Sequence, residues 1–141
     1  YRLAPCDYHR FCYIDNGEHG PIIDIPGYYQ ASGPQSFISQ YFPLFHKNYR
    51  EYCLLETENF DKVIQMEIGA MTVGTIQQHF RKGTVFRKGQ EKGYFEYGGS
   101  TIIQLFKPGV VEMENEIIEY SNRNIETMVR YGTAVGMRGR G

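Results

Sequence analysis

Short runs of alternating apolar and polar residues recur along the chain, rich in β-branched and aromatic side chains at the apolar positions. Turn signals separate them at Asn16-Gly17, Pro26-Gly27, Ser32-Gly33-Pro34, Lys82-Gly83, Lys88-Gly89, Lys92-Gly93 and Pro108-Gly109. A period of two in windows this short predicts strands, here over 2–4, 20–25, 51–56, 62–75, 84–86, 93–97, 102–106 and 126–129. Two stretches resist that reading. Residues 37–45 combine aromatics with a proline, and residues 114–120 set acidic side chains around Ile117-Ile118, which suits a short helix. No repeat, low-complexity stretch or linker divides the sequence, so one domain over 1–141 is expected. Its fold class is mostly β, a sandwich- or barrel-like antiparallel domain with one or two short helices.

One interruption of the pattern has chemical content. Gly98-Gly99-Ser100-Thr101 breaks what otherwise reads as one long strand from Tyr94 to Phe106. Glycine inside a strand weakens pairing and marks a bulge or a close backbone approach, and Gly-Gly-Ser-Thr is compatible with an ordinary bulge or turn. It is also compatible with a chain that cuts itself. A serine hydroxyl beside an unhindered glycine carbonyl can attack that carbonyl, converting the amide into an ester by an N-to-O acyl shift. Elimination then leaves a pyruvoyl group. Residue types alone leave both readings open.

Length and composition narrow the setting. A chain of 141 residues supports one domain with a real core and is short for two. Fifteen basic and 16 acidic residues give a net charge of -1, so no overall field favours nucleic acid as a partner. Aromatic residues make up 15% of the chain, as 12 Tyr and 9 Phe, and there are 16 Gly, which fits many short strands joined by tight turns. Cys6, Cys12 and Cys53 form no Cys-x-x-Cys pair and match no histidine spacing, so neither a metal site nor a disulfide framework is indicated. A reducing compartment follows as the simpler assumption. No run of about 18 apolar residues is present, which leaves association with a membrane surface open. The chain opens on Tyr1 without Met and at once on an apolar pattern, as the carboxy-terminal part of a longer protein would.

Three segments, in order, carry a resemblance. Leu3-Ala4-Pro5-Cys6-Asp7-Tyr8-His9-Arg10-Phe11, Glu67-Ile68-Gly69-Ala70-Met71-Thr72-Val73-Gly74-Thr75-Ile76 and the run from Lys88 to Phe106 resemble the phosphatidylserine decarboxylases, the last matching their processing site. The likeness is clear from Tyr1 to about Lys107 and looser beyond. It implies a related barrel-sandwich β architecture and scission between Gly99 and Ser100, giving chains 1–99 and 100–141. Ser100 would become a covalent pyruvoyl cofactor, whose conjugated system accepts the electron pair released as carbon dioxide leaves. It implies for His9 the role of protonating the carbon that lost carbon dioxide, in keeping with an imidazole that titrates near neutrality. Asp7 either orients His9 or caps a turn. Cys12 stands where the family usually has a second histidine, the base of self-cleavage, and the family's upstream acid lies outside this sequence. A thiol of ordinary pKa about 8.5 serves as a base only where its surroundings lower that value; the other reading of Cys12 is a small buried hydrophobe.

The resemblance further implies conversion of phosphatidylserine to phosphatidylethanolamine by a peripheral enzyme at the cytoplasmic face of the cell membrane. Its partners would be the lipid surface and a missing upstream segment of the same protein, with no nucleic acid and with a homodimer left open. Tyr13, Tyr28, Tyr29, Phe37, Tyr41, Phe42 and Phe45 either fill the core or form an apolar face for acyl chains. Two other readings compete. One is a decarboxylase of a soluble amino acid such as tryptophan; the other is an uncleaved, inactive relative acting as a binding or structural module, which rests on Cys12 and the absent acid. His19, His46 and His79 are expected to be surface or packing residues, and the tail with Arg138 and Arg140 a solvated, frayed terminus.

Overall fold

In the computed structural model, which describes residues 1–28, 47–70, 75–96 and 99–139, most of the alternating segments form strands and every ladder between them is antiparallel. The strands are β1 (Arg2–Leu3), β2 (Arg10–Cys12), β3 (Gly17–Ile25), β4 (Arg50–Thr57), β5 (Asp61–Ile68), β6 (Thr75–Gln78), β7 (Val85–Phe86), β8 (Glu91–Glu96), β9 (Ser100–Leu105), β10 (Val111–Met113) and β11 (Gly136–Arg138). A short helix, α1 (Asn115–Asn122), lies between the last two. A six-stranded sheet runs β1-β9-β5-β4-β3-β7, a three-stranded sheet runs β2-β8-β6, and β10 pairs β11. The expected class, mostly antiparallel β with a curled sheet, is what the chain adopts.

The β4–β5 hairpin shows how local sequence sets register. Thr57 Oγ1 accepts the Phe60 N–H at 3.1 Å and donates to the Asp61 carbonyl at 2.7 Å, while Asp61 itself takes a left-handed φ of 55°. Asp15, buried on the far side, accepts the Asn59 backbone N–H at 2.6 Å and its side-chain amide at 2.8 Å. Eight residue pairs follow in unbroken register from Thr57↔Asp61 to Arg50↔Ile68.

Two apolar clusters fill the interior. Phe11, Ala70, Ile76, Phe95 and Ile102 form one, and Tyr13, Cys53, Leu55 and Phe86 the other, with the Tyr13 and Phe86 rings stacked at 3.8 Å. Between them runs a polar network. Lys92 and Glu67 have fully buried side chains, and Lys92 Nζ donates to both Glu67 oxygens at 2.9 and 3.0 Å and to Gln78 Oε1 at 2.8 Å. The Gln78 amide donates to Glu67 and Glu51 in turn, and Gln65 to Glu67. Lys92 reaches both clusters, lying 5.3 Å over the Phe11 ring and near enough to Cys53 to act on its thiol. Burial pushes the Cys53 thiol up to about 11 despite that ammonium.

Several expectations are corrected. The strand expected over 62–75 ends at Ile68, because Gly69 turns away to donate its N–H to the Tyr49 carbonyl and to accept the Asn48 amide; the next strand starts at Thr75. Residues 126–129 form no strand, since Glu126 is held by a side-chain contact with Arg2 and not by a ladder. The pattern resumes at Ser100 and not at Ile102, in a different sheet from β8, so the chain changes sheets between Glu96 and Ser100. Met137 and Arg138, expected in a frayed tail, pair with Glu112 and Val111. Tyr13 belongs to the core and Tyr28 is exposed; Tyr29, Phe37, Tyr41, Phe42, Phe45, His46, Gly98 and Arg140 lie outside the described residues.

Candidate functional site

The corner at residues 99–100 joins two sheets and is faced by the segment 4–12. Gly99 takes a φ of 97°, a left-handed conformation costly for any residue with a Cβ. Ser100 opens β9 opposite Leu3 of β1, and Thr101 sits opposite Arg2 on one side and Ile68 on the other. Enclosure by β1 and β5 leaves Ser100 with 0% exposure, and its hydroxyl has no hydrogen-bond partner among the described residues, as is also true of Thr101 Oγ1. A buried hydroxyl without a partner costs free energy of about 1–3 kcal/mol.

His9 meets this corner directly. Its Nε2 accepts the Gly99 N–H at 3.1 Å, and its Nδ1 lies 2.7 Å from the Asp7 carbonyl. Together the two contacts select a tautomer: Nδ1 carries the proton and donates it to Asp7, leaving the Nε2 lone pair for Gly99. The His9 carbonyl accepts the Phe95 N–H at 2.9 Å, which extends the β2–β8 ladder to this residue and fixes its backbone. Asp7 performs both functions expected of it, with different groups. Its carboxylate accepts the Ala4 N–H at 2.7 Å while its own N–H donates to the Ala4 carbonyl, closing a turn; only its backbone carbonyl touches His9.

Cys12 lies elsewhere. It pairs with Glu91 in the β2–β8 ladder after a bulge, three residues beyond His9 and so about 10 Å further along the strand, leading away from Gly99. It is half-buried and lies beside the Tyr131 phenol. Partial burial and the neighbouring thiol hold the Tyr131 hydroxyl well above the usual phenol range. Tyr131 also sets its ring edge-on to Tyr8 at 5.1 Å. No sequence signal marks Tyr131, which reaches Tyr8 and Cys12 only because the chain folds back after α1. Of the other histidines, His19 is buried with Nδ1 on the Gly20 carbonyl, and His79 contacts Glu91 at 2.6 Å.

The family described as phosphatidylserine decarboxylase matches residues 1–137. The chain is 47% identical over 136 residues to the phosphatidylserine decarboxylase proenzyme 2 of Clostridium acetobutylicum, an alignment that covers 96% of this chain and 45% of that protein. The phosphatidylserine decarboxylase proenzyme of Clostridium botulinum (strain Kyoto) is 44% identical over 137 residues, covering 97% and 46% of the two chains. That of Clostridium tetani is 41% identical over 138 residues, covering 98% and 46%. The chain thus spans about half the length of the curated relatives it matches.

Proposed function

The chain belongs to the phosphatidylserine decarboxylase family, and from that premise we propose that it carries the self-processing and decarboxylating centre of an enzyme that converts phosphatidylserine to phosphatidylethanolamine. The observation that carries this reading is the buried, unpartnered Ser100 hydroxyl directly after a left-handed Gly99 whose N–H is held by His9. Ser100 Oγ attacks the Gly99 carbonyl carbon, the Gly99–Ser100 C–N bond breaks, and the acyl group passes to oxygen. Loss of the Ser100 Cα proton and of the Gly99 carboxylate from Cβ, followed by hydrolysis of the imine with release of ammonia, leaves a pyruvoyl group on the fragment 100–141. A glycine on the acyl side leaves the carbonyl unhindered, and Ser100 itself is buried.

The residues present fit that group: the Ser100 side chain is buried and its hydroxyl takes no hydrogen bond among the described residues. Once formed, a pyruvoyl carbonyl supplies the electron sink for decarboxylation of an amine-bearing substrate. His9 supplies the proton. Its Nδ1 is committed to Asp7, so Nε2 is the atom that takes up and delivers it, and scission frees the Gly99 end to move off Nε2. In this reading the substrate headgroup is presented at the cytoplasmic face of the membrane, with the enzyme bound peripherally, completed by a further segment of the same protein and assembled as a homodimer.

The test is Ser100→Ala in the intact protein, read by denaturing mass spectrometry and by release of carbon dioxide from phosphatidylserine vesicles. The unaltered protein should yield two masses divided at Gly99, the second blocked by pyruvoyl, and should decarboxylate. The variant should give one mass and no turnover. A split, active alanine variant refutes the assignment of Ser100.

A further inference from the structure

After α1, residues 125–130 cross the surface as an extended strap with no strand or helix of their own. Two anchors hold it. Glu126 takes the Arg2 guanidinium in a bidentate grip, Nε to Oε1 at 2.7 Å and Nη2 to Oε2 at 2.5 Å. Five residues on, Tyr131 stands at a β-turn closed by the Thr133 N–H on the Arg130 carbonyl, with Gly132 at a φ of 84°. That turn delivers the Tyr131 ring to Tyr8 and its hydroxyl to Cys12.

The anchors bracket the site. Arg2 is the ladder partner of Thr101, next to Ser100. Tyr8 and Cys12 flank His9 on either side in sequence. Cys6, Asp7 and Tyr8 are exposed, braced internally by the Ala4–Asp7 turn and by the His9 imidazole on the Asp7 carbonyl. His9 must nevertheless keep Nε2 within hydrogen-bond reach of Gly99, and a misplacement of about 1 Å at such a group can cost two orders of magnitude in rate. Tyr131, at the end of the strap, meets this segment at Tyr8 and Cys12.

We propose that Tyr131 is a positioning residue: by seating its ring on Tyr8 and its hydroxyl on Cys12, it holds the segment 4–12 so that His9 stays aimed at the processing corner. The inference rests on the reading of Ser100 and His9 given above. It has a consequence for the split protein. Scission after Gly99 leaves Glu126 and Tyr131 on one fragment and Arg2, Tyr8, His9 and Cys12 on the other, so the strap becomes a clasp between fragments.

Two variants of the intact protein test it. Tyr131→Ala removes the ring and the hydroxyl; Tyr131→Phe keeps the ring on Tyr8 and loses only the hydroxyl beside Cys12. In the unsplit Ser100→Ala background, amide exchange over residues 5–11 should accelerate at least tenfold in Tyr131→Ala and stay within about threefold in Tyr131→Phe. In the processed enzyme, kcat on phosphatidylserine vesicles should fall at least tenfold in Tyr131→Ala with KM within about twofold, and Tyr131→Phe should restore most of it. Unchanged exchange in Tyr131→Ala overturns the proposal, as does a rise in KM at constant kcat, which would make Tyr131 a substrate contact. If the unaltered protein shows no turnover, the proposed function fails, and the exchange measurement still decides the part played by Tyr131.

Discussion

Replacing Lys92 by Met should be among the most damaging single changes in this fold, and its cost should depend on pH. Lys92 donates three hydrogen bonds of 2.8–3.0 Å inside the protein, two of them to Glu67, and both side chains are fully buried. Glu51 and Glu67 are direct cross-strand partners on β4 and β5, so the ammonium also screens two carboxylates that face each other in the ladder. Without it Glu67 keeps, among the described residues, only the amides of Gln65 and Gln78. Removing one partner of a buried pair costs about 3–5 kcal/mol, because the remaining charge is left in a poorly solvating interior. That carboxylate lowers its cost by binding a proton. Its pKa in the folded variant therefore rises above the unfolded value, and the deficit shrinks as pH falls from 8 to 5. Lys92→Met/Glu67→Leu removes both charges and should lie within about 2 kcal/mol of the parent, since apolar replacement of a buried pair is often near neutral. The assay is urea unfolding of the intact, unsplit Ser100→Ala protein, followed by circular dichroism at pH 8 and pH 5. A single-variant cost below about 1 kcal/mol, a deficit that grows in acid, or a double variant worse than the single would refute the reasoning.

Two other outcomes follow from the site and the core. His9→Gln retains an acceptor for the Gly99 N–H and loses the titrating proton. Splitting should persist by mass while carbon dioxide release falls by about 10²–10⁴, and equal loss of both would assign His9 to self-cleavage instead. Among the cysteines, Cys6 is exposed and Cys53 is buried with its thiol pushed up to about 11. Iodoacetamide at pH 8 should therefore modify Cys6 within minutes and Cys53 only on unfolding, as peptide masses would show. Because the folded thiol loses its proton later than the unfolded one, its contribution is complete below pH 9. About 3 kcal/mol of it is lost as pH rises through 11, so Cys53→Ala should flatten that alkaline slope.

Much of the centre is legible in the sequence. The Gly-Gly-Ser-Thr break and the Asp7-Tyr8-His9 segment mark the proposed centre through their resemblance to the family, since residue types alone leave an ordinary bulge equally open. The strand pattern is legible where alternation runs for six or more residues, as in β4. It fails for β2, where Arg10-Phe11-Cys12 is too short to show a period, and for β10 and β11, where pairing across α1 supplies what local preference does not. The interior of β5 misleads in a more instructive way. Ile64 and Met66 read as its buried face, yet they are half-buried, while Val63, Gln65 and Glu67 point inward and are fully buried. A polar inward face is stable only because Gln78 and Lys92 arrive from another sheet to satisfy it.

The sequence by itself thus determined the class of fold, the scissile pair Gly99-Ser100 as the candidate for chemistry, and His9 as its candidate proton carrier. Tertiary structure alone decided that Gly99 and His9, 90 positions apart, share a hydrogen bond, and that Asp7 serves His9 through its backbone. It also decided that Cys12 faces Tyr131, and that an ion pair lies between the two apolar clusters. The reason is physical: residue type and spacing fix local backbone preference and intrinsic reactivity. Which distant groups meet depends on how two sheets close around one corner, a choice set by packing and by the need to pair every buried polar group.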